Sequence, residues 1–331
     1  ARNSVSLQDV AREAGVSPQT VSRVANGSDA VRPATKLKVE AAMEHLGYRP
    51  NYAARALKSG HFNNVGVLFR NVGYGNSRIL EGITTAAANS GYSITIRPLD
   101  NLQDQSLAGA LKLVEGLPLD GAIVIMERDF TFNQFKPSDN LPVVLICEEP
   151  ANHCPTIDSD SYGCATAAVD FFLSKGHKTV YHIAGPTVSR AAQSRIRGWR
   201  DALAQVGIPT PPMYYGDWEA DSGYQAGLAL AHEKDCTAIF AGNDQMAYGA
   251  MLGLRQQEAR SEDVSIIGVD DSLRGVVPRL ELTTIRLKLR TVGKEAFSMI
   301  EQQCNGKKVP SGIKKLITPE FIDRGSVAEL D

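Results

Sequence analysis

Leu7-Gln8-Asp9-Val10-Ala11-Arg12-Glu13-Ala14-Gly15-Val16-Ser17-Pro18-Gln19-Thr20-Val21-Ser22-Arg23-Val24 spells two short helices and the turn between them. Leu7, Val10, Ala11 and Ala14 recur at helical spacing and make one apolar stripe. Ser6 precedes the stripe, and Gly15 ends it as a glycine past the last turn does. Ser17 then holds an N-cap position and Pro18 the first helical position of a second helix, which Asn26-Gly27 stops. Helix, tight glycine turn, helix is the helix-turn-helix arrangement. Arg32-Pro33 opens a third helix through Leu46, with Leu37, Val39, Ala42, Met43 and Leu46 as its apolar positions, and Gly47 closes it.

Working outward, Pro50 starts and Gly60 ends a possible helix containing Asn51, Ala53, Ala54, Arg55, Leu57 and Lys58. It is shorter than the roughly 12–15 residues that make a helix marginal alone in water. The expectation is a linker that folds only when bound. From Val65 the rhythm changes. Short apolar runs at Val65–Phe69, Tyr92–Ile96, Ala122–Met126, Val143–Cys147, Val180–Ala184, Ala238–Ala241 and Ile266–Val269 alternate with helix-like segments. Those segments are 76–90, 103–115, 161–174, 190–205, 221–232, 244–257 and 289–303. Such alternation predicts parallel doubly wound sheets. A body of this length exceeds one ordinary core, so two α/β lobes with a ligand cleft between them are expected. The expected organisation is a head over 1–49, a linker over 50–60 and a two-lobed body over 61–331, with crossovers near 160, 288 and 320.

The chain of 331 residues carries a net charge of −2, which read whole argues against a nucleic-acid partner. That average pools two unlike segments: residues 1–60 hold nine Lys/Arg and five acids, net +4, and the rest is net −6. No apolar run approaches the ~18–20 residues of a membrane span, and Ala1–Ser6 shows no apolar leader, so a cytoplasmic, nucleoid-associated place is expected. The five cysteines are odd in number with no CxxC, which suits reduced thiols. Cys147-Glu148-Glu149 near His153-Cys154 fits no standard zinc spacing. No GxSxG, HExxH, GxxxxGK[ST] or full GxGxxG occurs, and Gly73-Tyr74-Gly75 is a lone GxG. Neither an enzyme nor a cofactor is expected.

The opening segment resembles the DNA-binding signature of the lac/galactose repressor (LacI/GalR) family of bacterial transcriptional regulators. The likeness extends through Lys38–Asn51 and Ala53–Leu57. In the body it includes Gly198-Trp199, Gly216-Asp217-Trp218, Asn243–Met251, Gly268-Val269-Asp270-Asp271 and Pro319–Ser326. The resemblance implies an all-α helix-turn-helix head with a hinge helix, followed by an α/β two-lobed body like a periplasmic binding protein. It implies a repressor that binds a palindromic operator as a homodimer and is released by a small sugar or sugar derivative. Corepression on the same fold is the alternative in sign, and a periplasmic-type sugar-binding protein the alternative in class. The tail after Ser326 is too short to supply the extra helix that some relatives use to form tetramers.

The second helix of a helix-turn-helix enters the major groove. Gln19 suits a bidentate contact to adenine and Arg23 one to guanine, each discriminating by about 1–3 kcal/mol. Ser17, Thr20, Ser22 and Asn26 suit phosphates or single base edges. The resemblance places Leu7 in the interface, base reading at Pro18, Gln19 and Arg23, and a minor-groove wedge at Leu57, flanked by Asn51, Ala54, Arg55 and Lys58. At Pro18 only apolar contact is available. The effector site it implies is Arg70, Cys147, Ser189, Arg195, Trp218, Asn243 and Asp270, a set suited to hydroxyl groups. Trp199 reads as core. Cys147 stands where several relatives have aspartate, and Arg70 where a small polar residue is common. Both changes make the pocket more positive and suggest an acidic or phosphorylated sugar, unless Glu148 neutralises Arg70.

Overall fold

The computed structural model describes residues 5–28, 30–49, 60–99, 106–127, 137–138, 140–256 and 264–330. The chain divides into two units, Ala1–Phe62 and Asn63–Asp331. Of the hinge helix expected over 50–60, residues 50–59, with Asn51, Ala54, Arg55, Leu57 and Lys58, lie outside the described residues.

The first unit contains α1 (Leu7–Ala14), α2 (Pro18–Ala25) and α3 (Pro33–Leu46). Local chemistry fixes their ends. The Ser6 hydroxyl accepts from Asp9 N at 3.3 Å while Asp9 Oδ2 accepts from Ser6 N at 2.9 Å, a reciprocal cap. Gly15 leaves α1 at φ 62°, a conformation glycine adopts without a Cβ penalty. The Ser17 hydroxyl caps α2 by accepting from Thr20 N at 3.2 Å. Val10, Ala11, Val21, Val24, Val39 and Ala42 form the core, with Leu7, Ala14, Met43 and Leu46 packed around it. Leu37 stands out into solvent instead, 67% exposed. It lies two residues from Val39, about 200° around the helix, so both cannot face one core.

The second unit is built on two six-stranded sheets. The first sheet takes β1 (Asn64–Phe69), β2 (Ser93–Pro98), β3 (Gly121–Ile125), β4 (Val143–Ile146), β5 (Thr156–Ser159) and β11 (Lys314–Ile317). Their order is β11-β5-β4-β3-β1-β2, all parallel. The second takes β6 (Tyr181–Ala184), β7 (Met213–Tyr215), β8 (Ala238–Ala241), β9 (Ser265–Val269), β10 (Thr283–Arg286) and β12 (Glu320–Ile322). Their order is β12-β10-β9-β8-β6-β7, parallel except for β12 against β10. β3, β4, β8 and β9 are buried along their whole length, as parallel strands covered on both faces must be.

The helices of this unit are α4 (Tyr74–Asn89), α5 (Leu107–Lys112), α6 (Ser161–Ser174), α7 (Arg190–Gln205), α8 (Ala220–Leu230), α9 (Asp244–Arg255) and α10 (Leu289–Cys304). α10 packs on α4, α6 on α7, and α8 on α9. The chain passes between the lobes after β5, between β10 and α10, and between β11 and β12. One apolar cluster contains side chains of both lobes, including Val67, Phe172, Phe240 and Phe297. Trp199 belongs to it, 1% exposed, with Nε1 donating to Val180 O at 2.8 Å.

The α8–α9 pair is bare of side chains at its closest approach. A Cβ on Gly249 would lie 1.9 Å from Ala220 O and 2.8 Å from Tyr224 N. These are backbone atoms that cannot rotate aside, so the helices would have to separate. Gly249→Ala is expected to cost about 1–3 kcal/mol of stability, read as a lower urea midpoint. An unchanged midpoint would show the helices free to part.

Candidate functional site

Two surfaces carry chemistry that the folding of each unit does not consume. The first is the outer face of α2. Val21 and Val24 point into the head core, so Pro18, Gln19, Arg23 and Asn26 face solvent. Ser17 and Thr20 are engaged with each other at 2.9 Å, and Asn26 Nδ2 donates to Ser22 Oγ at 3.4 Å. Gln19 and Arg23 have no bonded partner among the described residues, which leaves both forks presented one turn apart. Leu7 sits partly buried against the head core.

The second surface is a cavity of about 470 Å³ in the two-lobed unit. Its wall comes from the segments that follow the carboxyl ends of strands: Tyr74 after β1, Glu127 after β3, Cys147 after β4, Ser189 after β6, Trp218 after β7, Asn243 after β8 and Asp270 after β9. That is where open parallel sheets hold ligands, because the loops there are free of sheet pairing. Cys147, Ser189, Arg195, Trp218, Asn243 and Asp270 all line it; Arg70 does not. Arg70 lies instead near Glu127, whose carboxyl its charge draws downward against the larger effect of burial.

Each lining group is held by its neighbours. Arg195 is 4% exposed and its Nη1 donates to Gly242 O at 2.7 Å. Its guanidinium carbon stands 5.6 Å from the Trp218 ring centre. Asn243 caps α9 by accepting from Met246 N at 2.9 Å and uses its amide nitrogen on Trp218 O at 2.8 Å. Ser189 caps α7, accepting from Ala192 N at 3.3 Å. Trp218 and Asp270 adopt φ of 78° and 99°, conformations that cost a side-chain-bearing residue energy and that cluster at binding sites.

The strain at Asp270 is over-determined from below. Asp271 Oδ2 accepts from Arg286 Nη2 and its Oδ1 from Arg324 Nη2, both at 2.6 Å. Asp244 Oδ2 accepts from Ser272 N at 2.7 Å and its Oδ1 from Thr284 Oγ1 at 2.6 Å. Ser326 Oγ donates to Ile266 O at 2.6 Å. The motifs around Gly268–Asp271 and Pro319–Ser326, distant in sequence, therefore form one clasp under the cavity floor.

Several wall residues were not assigned to the site from the sequence. Glu149 pairs with Arg190, whose Nε donates to it at 3.1 Å. Glu148 accepts from Ser161 N at 2.9 Å and from Ser194 Oγ. Glu127 accepts from Asn71 Nδ2 at 2.8 Å and from Asn76. Burial, reinforced by the charge of Glu148, lifts the Asp158 carboxyl to about 8. In all, seven carboxylates (Glu127, Glu148, Glu149, Asp158, Asp217, Glu219, Asp270) and two guanidiniums (Arg190, Arg195) line the cavity. The expectation of a positive pocket for an anionic ligand is thereby reversed. Arg70 lies off the wall, and the carboxylate missing at Cys147 is outweighed by its neighbours.

The class defined by these features is a small helix-turn-helix reader carried in one chain with a two-lobed α/β binding unit of periplasmic type. The comparisons agree. Residues 6–51 match the model for bacterial regulatory proteins of the lacI family, and residues 169–327 that for a periplasmic binding protein-like domain. Catabolite control protein A of Priestia megaterium is 34% identical across 95% of this chain and 96% of its own. The HTH-type transcriptional repressor CytR of Escherichia coli (strain K12) is 31% identical across 99% of this chain and 97% of its own. The crystal structure of a lac repressor dimer bound to operator and the anti-inducer ONPF superposes with a TM-score of 0.82 at 28% identity, covering 98% of this chain and all of that one. The chain belongs to the lacI family of bacterial regulatory proteins.

Proposed function

We propose that this protein is a transcriptional repressor. It reads a near-palindromic operator as a homodimer through Pro18, Gln19 and Arg23, and it is released by a small polyhydroxylated effector bound between the lobes. The presentation of Gln19 and Arg23 side by side on the outer face of α2 carries the DNA-reading part. The dimeric lac repressor on its operator supports the assembly, since two heads are needed to read two half-sites. The division of the chain at Phe62/Asn63 supports a separate head, linker and sensing body, here assigned to 1–49, 50–60 and 61–331. Among the described residues no helix is long and apolar enough to cross a membrane, which suits the cytoplasmic, nucleoid-associated place proposed for it.

Release follows from linkage: an effector that favours the lobe arrangement disfavoured by operator weakens operator binding, and operator weakens effector binding by the same factor. The test is a fluorescence anisotropy titration on a palindromic operator selected from random DNA. Arg23→Ala is expected to lose roughly five- to hundredfold in affinity per half-site, about 1–3 kcal/mol, and to relax the base preference at one position. A loss spread evenly over all sequences would mean that Arg23 holds phosphate and reads nothing.

A further inference from the structure

The cavity wall carries more negative charge than its own cations use. Arg190 is engaged with Glu149, and Arg195 exerts its pull on Asp270. Glu148 and Asp158 stand at the carboxyl ends of the paired strands β4 and β5, where burial and the charge of Glu148 keep Asp158 protonated at neutral pH. Among the described residues Asp158 accepts from Ser159 N at 2.8 Å, and Glu148 from Ser161 N and Ser194 Oγ. Neither makes an ion pair among the described residues. The same cavity holds an unmet donor: Arg195 is 4% exposed, and its buried Nε has no acceptor among the described residues. A buried donor left without a partner costs free energy that a ligand oxygen would restore.

These two needs differ in sign and lie in one cavity. The carboxylate side asks for a group that only donates and carries positive charge; the Arg195 side asks for a neutral acceptor. A protonated amine has three donors and no acceptor, and a hydroxyl oxygen accepts. A phosphate or carboxylate ligand would meet Arg195 but would be driven off by the surrounding acids. A neutral sugar would satisfy Arg195 yet leave the Glu148 carboxylate without a cation.

We infer that the effector is a polyhydroxylated compound bearing a protonated nitrogen, an amino sugar or amino-polyol, with its ammonium against Glu148 and Asp158 and a hydroxyl oxygen accepting from Arg195. This deepens the proposed function and rests on the cleft being the effector site. Charge-assisted bonds of this kind are about twice as strong as neutral ones, so N-acetylation, which removes the charge and keeps the ring, isolates the contribution of the ammonium.

The experiment is isothermal titration of the full chain at pH 7 with glucosamine, galactosamine and mannosamine, their N-acetyl forms, the parent neutral hexoses and the hexose 6-phosphates. The expected result is that at least one amino sugar binds and that its N-acetyl and parent forms bind at least tenfold more weakly. Glu148→Gln should narrow that gap; the wild-type comparison alone decides the matter if the variant fails to fold. Equal or tighter binding of a neutral, acetylated or phosphorylated sugar overturns the inference and leaves the effector cleft standing. Binding of none of these compounds overturns the saccharide-sensing reading together with the inference.

Discussion

Gly185→Ala is expected to weaken effector binding by roughly thirtyfold or more, the loss of about 2 kcal/mol that follows when a central aromatic contact is removed. The reason is a single close approach. A Cβ at Gly185 would lie 2.1, 2.3 and 2.5 Å from three ring atoms of Trp218, far inside contact distance. The ring must move to make room. Its backbone is held at φ 78°, its carbonyl accepts from Asn243 Nδ2 at 2.8 Å, and its edge lies beside Gly242. The indole would therefore swing and deform the cavity wall. The cost to folding should be only that of overpacking one methyl, about 1–3 kcal/mol. Operator affinity should be unaltered without effector, because the head folds on its own core of Val10, Val21, Val24 and Val39. Titration calorimetry and operator anisotropy on the same sample separate the two. Parent-like effector affinity in this variant would show that Trp218 is not a ligand contact.

How much of this was legible before the structure depends on the kind of signal each feature leaves in a linear chain. The head was legible because its caps, glycine stops and apolar spacing are local: Ser17, Pro18 and Gly15 act within a turn of where they stand. The fully buried strands were legible because burial on both faces demands unbroken apolar runs such as Ala238–Ala241. β5, β7, β10, β11 and β12 escaped for opposite reasons. They are three or four residues long, and β11 at a sheet edge begins with two exposed lysines, as edges that must avoid further pairing often do. In the cavity, Arg195, Trp218, Asn243 and Asp270 could be placed through the family resemblance. The acidic wall could not. Glu127, Glu148 and Asp158 are scattered along the sequence and converge only because parallel strands end on one side. No period links them, and only the fold brings their charges together. Arg70 follows β1 as expected, yet it does not line the cavity, and its charge acts on Glu127, whose carboxyl burial raises.

The same buried acids predict an uncommon response to pH. Between pH 8.5 and 6.5 the protein is expected to become more stable as the pH falls. Burial lifts Asp158 to about 8 and Asp244 to about 7, whereas an aspartate in the unfolded chain titrates near 4. In that window the folded chain takes up protons that the unfolded chain does not hold. A folded-state pKa raised above its unfolded value gives stability that is complete below the unfolded value and is lost as pH rises through the folded one. Each proton taken up corresponds to about 1.4 kcal/mol per pH unit, so one to two protons give a slope of roughly 1.4–2.8 kcal/mol per unit. His182 acts in the other direction and at lower pH. It is fully buried, stacked on Phe240, with Nδ1 bonded to Phe240 O at 2.8 Å, and burial lowers it to about 4. The unfolded chain binds that proton near pH 6.5, so His182 removes stability as pH falls from there toward 4. The slope should accordingly steepen as pH falls from 8.5 toward 6.5 and ease below that. Asp158→Asn keeps the shape and removes the charge; it is expected to be more stable than the parent at pH 8.5 and to reduce the slope by up to one proton. Urea unfolding at half-unit pH intervals measures both. A parent whose stability rises from pH 6.5 to 8.5 would mean that Asp158 and Asp244 are ionised in the folded protein, and the charge balance drawn for the cavity would have to be recast with a full negative charge at Asp158.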